Sequence, residues 1–435
     1  MTVSRSKLFA LGIIGLLLAL MIYGFAWYII LSMSILLFGV WSIYVFIYFT
    51  SLLSMLGETV YVEPKNCNFD HHPIVSILLP LYREKRESIE KTVNSILSQE
   101  YPHDKIEVIF IVEPDDLKTS RIVDDFIPLL KSEGFNVKKV VSDGKLKIKA
   151  HALNVGFMHS SGDIIGVYDA DDEFPSDQIR KIVKMFIDDG YGAIGTKVYR
   201  YRNSKIGKLL NLEMYIWYNM YLPVIYKISK APPLSGEGLF VKREALEAIG
   251  GFPEKLTEDA YITIKMKEAG YKIGLLKSEV VELAPKSLKG LFKQRLRWYR
   301  GYIECVGGII NAELPKITKI VLLLAFGVPA ILSLGFIQLS IAMGYTFLSI
   351  FIDGFKIITL ETILSNLFLF TWSLLITVAT SVFYALLYSK MSKDDRWKPF
   401  AKFLLIMPIY WIMLAAITFY LPFVDPKIWY KTERR

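Results

Sequence analysis

An α/β domain built on a mostly parallel sheet, set between membrane-spanning helices, is the architecture this sequence predicts. Three observations predict it. The 435-residue chain is 53% hydrophobic, and the excess is gathered at its two ends. The middle alternates short, continuous apolar strands with amphipathic helices. There, two aspartates one residue apart, Asp169 and Asp171, sit at the mouth of the apolar run Ile164–Tyr168.

Taken from the N-terminus, the first element is a stretch with no charged residue from Leu8 to Leu56. That is too long for one span and suits a retained hairpin of two helices of roughly 20 residues each. It is also too long for the apolar core of a secretory signal, and no small-residue cleavage site follows it. We therefore expect a transmembrane hairpin over 1–56 and a soluble α/β domain over 57–285. Amphipathic helices are expected over 286–315, and a region of three or four spans with a basic tail over 316–435. The C-terminal candidates are Ile320–Phe351, Ile363–Tyr388 and Phe403–Phe423, with Pro329, Pro408 and Pro422 as breaks. Arg5 and Lys7 before the first helix, and Lys390, Lys393, Arg396 and Lys398 in a later connector, place these segments on the cytoplasmic side by the positive-inside rule. The expected location is a cell membrane, multi-pass, with the central domain cytoplasmic. Five full spans would leave Lys431, Arg434 and Arg435 outside, so either the last segment is re-entrant or one long stretch crosses twice.

Within the central domain, Val75–Tyr82 reads as a strand. A helix follows with Ile89, Val93, Ile96 and Leu97 on one face. Val108–Val112 is a second strand ending at Glu113, and Ile164–Asp169 a third. Continuous apolar strands alternating with helices predict a parallel sheet covered on both faces. Ligands of such sheets bind beyond the carboxyl ends of the strands, where Glu84, Glu113, Asp115, Asp116, Asp169 and Asp171 gather. Neither a G-x-G-x-x-G nor a Walker A sequence is present, so a dinucleotide or P-loop site is not expected.

In an extended strand, residues two apart face the same way, so Asp169 and Asp171 would offer two carboxylates to one ion. Hard cations such as Mg²⁺ or Mn²⁺ take oxygen ligands, few of them from protein, and complete their shell with water and substrate phosphates. A substrate carrying a diphosphate follows. The plainer alternative is an acidic turn or helix N-terminus. The formal charge of +9 suits a surface beside anionic lipid and an anionic substrate. Nucleic acid is a poor partner, because no helix-turn-helix, zinc or ribonucleoprotein pattern accompanies the charge. Cys67 and Cys305 offer no disulfide framework, and His71 and His72 have no metal-ligand spacing.

Six segments in order carry a resemblance: PLYRE (Pro80–Glu84), KAHALNVGF (Lys149–Phe157), YDADD (Tyr168–Asp172), SGEGLFVKREALEAIGGF (Ser235–Phe252), TEDA (Thr257–Ala260) and QRLRWYRG (Gln294–Gly301). Together they resemble the membrane-bound members of glycosyltransferase family 2, the relatives of cellulose, hyaluronan and poly-N-acetylglucosamine synthases. The resemblance implies a GT-A type nucleotide-sugar-binding fold, a Mn²⁺ or Mg²⁺ ion, and inversion at the anomeric carbon. It implies donor binding by Pro80, Tyr82, Glu84, Glu113, Lys149 and Asp169, with Asp171 and Asp169 on the metal. Asp259 matches the catalytic base, with Glu258 beside it. Gly236, Glu237 and Gly238 match the loop beside the acceptor, and Gln294, Arg297 and Trp298 the acceptor and diphosphate segment. The implied partners are a nucleotide-sugar donor (UDP- or GDP-linked), a glycan or polyprenyl-phosphate-linked acceptor, and the bilayer.

Each position also has its own chemistry. Glycines at 236 and 238 let a backbone approach a ligand closely, while Glu237 could bind a sugar hydroxyl or a cation, or cap the turn. Thr257 could N-cap a helix whose first turn welcomes Glu258 and Asp259. Gln294, Arg297 and Trp298 share a helix face, where Arg297 can grip phosphate oxygens and Trp298 can offer a flat apolar surface. Arg295 and Arg300 are expected at lipid-headgroup level. No Ser-His-Asp set or reactive-cysteine motif is evident, so a single displacement is expected. The C-terminal IWYKTERR resembles the basic tail of some processive synthases, which keeps a polymer-secreting enzyme as the alternative. An inactive scaffold is disfavoured by the intact Asp169, Asp171, Asp259, Gln294, Arg297 and Trp298, and a transporter by the absence of charges buried in the spans.

Overall fold

A computed structural model describes residues 60–327, apart from 66, 68–70 and 202–203, together with 381–423 and isolated positions within 32–43 and 375–379. Its centre is a seven-stranded sheet in the order β3-β2-β1-β4-β6-β5-β7. The strands are β1 (Val75–Leu81), β2 (Ile106–Val112), β3 (Asn136–Val141), β4 (Ile164–Val167), β5 (Ala193–Tyr201), β6 (Leu239–Lys242) and β7 (Ile273–Leu283). Pairing is parallel except around β6, which runs antiparallel to both β4 and β5. This is the mostly parallel α/β sheet the apolar runs predict. Every residue of β1 and β2 is buried, as expected of strands covered on both faces.

Helices cover the two faces. On one lie α1 (Arg86–Leu97) and α2 (Leu117–Ser132), with Ile89, Val93, Ile96, Val123, Phe126 and Leu130 in its core. On the other lies α3 (Lys149–His159), whose Leu153 shares a second core. The first core is extended by α4 (Gln178–Asp189) through Ile179, Ile182 and Phe186. The second is extended by α5 (Lys205–Ile216), α6 (Leu222–Ser229), α7 (Arg243–Ala248), α8 (Glu258–Glu268) and α9 (Leu288–Asn311). Between α5 and α6 the chain makes a π-helical turn, Trp217–Tyr221.

The strand read from sequence as the third is the fourth. The edge strand β3, NVKKVV, places Lys138 and Lys139 between buried Val137 and Val140, with Val141 exposed, and so lacks the apolar continuity of its neighbours. β4 also stops at Val167, two residues short of Asp169. Its pairing with β1 ends at Leu78↔Val167, whereas β1 and β2 stay paired to Leu81↔Val112. Pro80 is tolerated in a central strand because the ladder to β4 has already ended. The same divergence opens a crevice at the carboxyl ends of β1 and β4, where the strand order reverses.

The expected amphipathic segment 286–315 is mostly the single helix α9, capped by Ser287, whose hydroxyl accepts from Gly290 N–H. A shorter helix, α10 (Lys316–Phe326), follows. Among the described residues no helix is long and apolar enough to cross a membrane. The expected hairpin over 1–56 and the spans over 320–351 and 363–388 fall wholly or largely outside the described residues. The last expected span, Phe403–Phe423, is a broken helix preceded by α11 (Lys398–Ala401). Its pieces are a 3-10 stretch Lys402–Ile406, α12 (Met407–Ile417) and a further 3-10 stretch Thr418–Phe423. It packs against α5 and α9: Tyr410 donates to Glu213 at 2.8 Å, and the Phe292 and Tyr420 rings lie 5.2 Å apart.

Candidate active site

Two loops at the carboxyl ends of β1 and β2 are tied together. After β1, Arg83 takes a left-handed φ of 54°, and its N–H donates to Asp116. Asp116 also caps α2 by accepting from Thr119 N–H, and Thr119 Oγ1 accepts from Glu84 N–H at 2.9 Å. Pro80, Tyr82 and Glu84 thus lead into a loop locked onto the segment that carries Glu113. Tyr82 presents a ring to Arg83 and, at 6.0 Å, to Lys147. Glu113 is buried, and neither carboxylate oxygen has a well-formed hydrogen bond. Burial pushes its carboxyl above the ordinary range, partly opposed by the Ser142 hydroxyl.

The turn after β4 holds the two aspartates apart. Asp169 N–H donates to Asp172 Oδ2 at 2.7 Å, and Thr92 Oγ1 donates to the Asp169 carbonyl at 3.0 Å. Asp171 instead accepts the Leu283 N–H at 2.9 Å, which fastens this turn to the end of β7. The sequence reading of a shared strand face for the pair is corrected on this point, since a turn has no two-residue alternation. Asp169 stands with Glu237 and Glu282, whose ligand atoms all lie within 4.8 Å of one another, and Asp171 lies outside that trio. Glu282 is a residue the sequence reading missed. Three carboxylates on three separate elements form a hard-oxygen donor set suited to Mn²⁺ or Mg²⁺. Buried Asp172 backs the trio, with Oδ1 unpaired among the described residues. Its carboxyl is pushed well up by burial, then by Asp169 and Glu237.

Lys149, the first residue of α3, joins this trio to a second acidic pair. Its Nζ lies 2.7 Å from Asp169 Oδ1 and 3.8 Å from Glu258 Oε1. Burial would lower the lysine, but Asp169, Glu258 and Glu237 together hold it above its ordinary value. Its neighbours in sequence are solvated: Lys147 pairs with Asp115, and Lys145 with Asp143. The spacing K-x-K-x-K had left that distinction open.

Glu258 and Asp259 begin α8, in the first turn where the helix dipole favours carboxylates. Thr257 occupies the N-cap position without making the side-chain cap expected of it. Its side chain packs instead where α9 has Gly301, at which any Cβ would come within 2.5 Å of Thr257. Burial raises the carboxyl of Glu258 to about 8, with Lys149 pulling down and Asp259 pushing up. Asp259 is raised by burial and by Glu237, and lowered by Lys149 and Arg297. Gly236 fits between the two acidic groups, since a Cβ there would lie 2.9 Å from Lys149 Nζ and 3.3 Å from Asp259 Oδ2. Gly238 has φ +67°, and a Cβ would lie 2.2 Å from Thr196 Oγ1. Tyr218, from the π-helical turn, shares a 2.5 Å hydrogen bond with Ser235 beside this loop.

From α9, Gln294 is buried with Oε1 unpaired, and Arg297 Nε is likewise buried without a partner among the described residues. Trp298 does not present a bare face: the guanidiniums of Arg295 and Arg200 lie 4.5 and 4.7 Å from its ring centre. The expectation of Arg295 at headgroup level is overturned. The side chain is buried and paired with Glu213 of α5, because the face of α9 it occupies is covered by α5 and α12.

The geometry places a triad of oxygen donors, a buried lysine, a carboxylate pair of raised pKa and an arginine-bearing helix around one glycine loop at a strand-end crevice. A family model described as "Glycosyltransferase like family 2" matches residues 72–301. A probable glycosyltransferase, YdaM, of Bacillus subtilis is 30% identical over 242 residues, covering 54% of this chain and 56% of its own. The beta-monoglucosyldiacylglycerol synthase of Synechocystis is 28% identical over 290 residues, 63% of this chain and 58% of its own. The chain thus spans a little over half the length of these relatives. In fold it is similar to a mannosyltransferase from Pyrobaculum calidifontis, solved with GDP-Man and Mn²⁺, at a TM-score of 0.59 and 18% identity over 89% of this chain and 98% of that one. With the family match extending from before β1 through the QRLRWYRG segment of α9, this chain belongs to glycosyltransferase family 2, and its catalytic-family domain has a GT-A-like fold.

Proposed function

We propose that this enzyme transfers a hexose from a nucleotide-sugar donor to a lipid-linked glycan or lipid acceptor at a membrane surface, by a metal-assisted single displacement with inversion. The observation that carries the reading is the arrangement about Gly236, which separates Asp259 from Lys149 and the Asp169 trio by little more than a backbone. Inverting transfer needs a base on the acceptor side of the sugar and charge compensation at the leaving diphosphate.

In this mechanism Asp259, its carboxyl raised by burial, takes the proton of the acceptor hydroxyl as that oxygen attacks the anomeric carbon. Glu258 keeps company with Lys149 and leaves Asp259 as the free base. Asp169, Glu237 and Glu282 would hold a divalent ion, which neutralises diphosphate charge when bound. Lys149 adds a fixed positive charge, and Arg297 supplies a guanidinium from α9 with Nε still unpaired. Tyr82 and Glu113 line the nucleotide end of the crevice. A donor-metal pair of this kind is bound by the Pyrobaculum mannosyltransferase, and the Synechocystis relative's product is a glycosylated lipid. The apolar ends of the chain support a membrane setting with the catalytic domain on the cytoplasmic side.

The test is nucleotide release by purified protein in lipid, with Mn²⁺ or Mg²⁺, across UDP-glucose, UDP-N-acetylglucosamine and GDP-mannose. Each donor is run with and without diacylglycerol or a polyprenyl-phosphate glycolipid. A product one sugar longer that requires the lipid supports the reading. Lipid-independent release accompanied by high-mass polymer would replace it with a processive synthase.

A further inference from the structure

Glu282 reaches the Asp169 trio from β7 while engaged on its other side. Its Cα is the direct register partner of Arg200 on β5, and the Arg200 guanidinium pairs with its carboxylate. Both side chains are within 3% of complete burial. A buried ion pair contributes little to sheet stability, because desolvating two charges offsets their attraction, and two packed apolar residues would serve the strands as well. Arg200 is moreover fixed from several directions. Its backbone N–H donates to Asn211 Oδ1 at 2.9 Å, Nη1 lies 3.3 Å from Met214 Sδ, and the guanidinium lies over the Trp298 ring. Four elements, β5, α5, β7 and α9, therefore determine where this one guanidinium stands. Metal ligands are commonly oriented by just such partners outside the coordination sphere.

We infer that Arg200 is a positioning residue for the metal centre: locked by Asn211, Met214 and Trp298, it holds the Glu282 carboxylate aligned toward Asp169 and Glu237 before the ion arrives. Trp298 on this view is also a buttress for Arg200, which gives the tryptophan of QRLRWYRG a part in metal binding besides any contact with sugar. The inference rests on the metal reading given under Proposed function.

It is tested without turnover. Mn²⁺ is titrated into the purified full chain in lipid nanodiscs with no nucleotide present, and free ion is followed by its electron paramagnetic resonance signal. The wild type is compared with Asp169→Asn, Glu282→Gln, Arg200→Met, Arg200→Lys and the Glu282→Gln/Arg200→Met double variant, each checked for folding by its melting transition. Arg200→Met is expected to weaken Mn²⁺ binding about 10- to 100-fold. Arg200→Lys, which keeps the charge and loses the planar fork, should fall between it and the wild type. In the Glu282→Gln background Arg200→Met should cost nothing further. Wild-type affinity in Arg200→Met, or in Arg200→Lys should the methionine variant not fold, overturns the inference. So do losses that add in the double variant, which would place Arg200's effect elsewhere. Unchanged binding in Asp169→Asn would instead remove the metal site itself, a separate failure from that of Arg200.

Discussion

Lys149 makes two acidic groups compatible. Without its charge, Asp169 and Glu258 would face each other across a buried space, and both Glu258 and Asp259 would hold protons more tightly. Lys149→Met should therefore lower kcat on the order of 10²–10³-fold, as expected for loss of one preorganised charge. The rising limb of its pH–rate profile should also move to higher pH. In the wild type that limb should lie above the ordinary carboxylate range, because activity appears as the Glu258–Asp259 pair loses its proton, and the apparent value belongs to the pair. A limb that stays in place in Lys149→Met would show that the lysine does not act on the base. The sequence singled out Asp169, Asp259 and Lys149, which the fold brings together about Gly236. It was silent on Glu282, which enters through strand register with Arg200 and lies 113 positions beyond Asp169. Asp171 misled because its neighbours look like a strand while the strand stops at Val167.

Helix placement depends on glycines that admit a partner's side chain. At Gly301, α9 receives Thr257, and this contact sets the start of α8 and thus the position of Asp259. Gly301→Ala would force a backbone shift, with a predicted loss of about 1–3 kcal/mol in stability and a fall in kcat at unchanged donor affinity. A melting curve and isothermal titration of the donor check both halves. Gly238→Ala should be costlier to the fold, since it adds a left-handed φ penalty of about 1–2 kcal/mol to the collision with Thr196. Of the elements, β1, β2 and β4 were legible as continuous apolar runs, whereas β5, β6 and β7 went unread. β3 was not legible either, because an edge strand with solvated lysines carries no such run. Nor was the break of Lys402–Phe423 into three short helical pieces, although Pro408 and Pro422 marked the segment as interruptible.

Across the whole molecule, side chains clamp distant loops over the crevice. His151 on α3 contacts Asp143 at 2.6 Å and Glu254 at 3.1 Å, so it bridges the loop before Lys149 and the loop before Asp259. Burial lowers its pKa, but the two carboxylates reverse this and leave it raised. A raised folded-state value means that the clamp's stability is fully present below the ordinary imidazole value of about 6.5 and is lost as pH rises through the raised one. Protection against hydrogen exchange in residues 142–148 and 252–257, taken relative to the intrinsic base-catalysed rate, should fall over that interval, and His151→Gln should abolish that fall. Protection that stays constant with pH in the wild type would rule the clamp out. Arg396 offers a second fastening, pairing with Glu279 and stacking on Tyr199 and Trp397. It binds the connector before α11 to the β7 side of the sheet. The apolar ends were evident in composition, whereas these long-range ties depend on topology that no local pattern encodes.

The proposed mechanism has Asp259 remove the acceptor proton while the Asp169, Glu237 and Glu282 trio and Lys149 hold the donor diphosphate. The direct measurement compares Asp259→Asn with wild type for donor affinity by calorimetry and for sugar transfer to acceptor in lipid, at saturating Mn²⁺. Donor binding within about twofold of wild type, with transfer reduced at least about 10²-fold, is expected of that mechanism. Transfer at the wild-type rate in that variant would contradict it, because another group would then have to serve as the base.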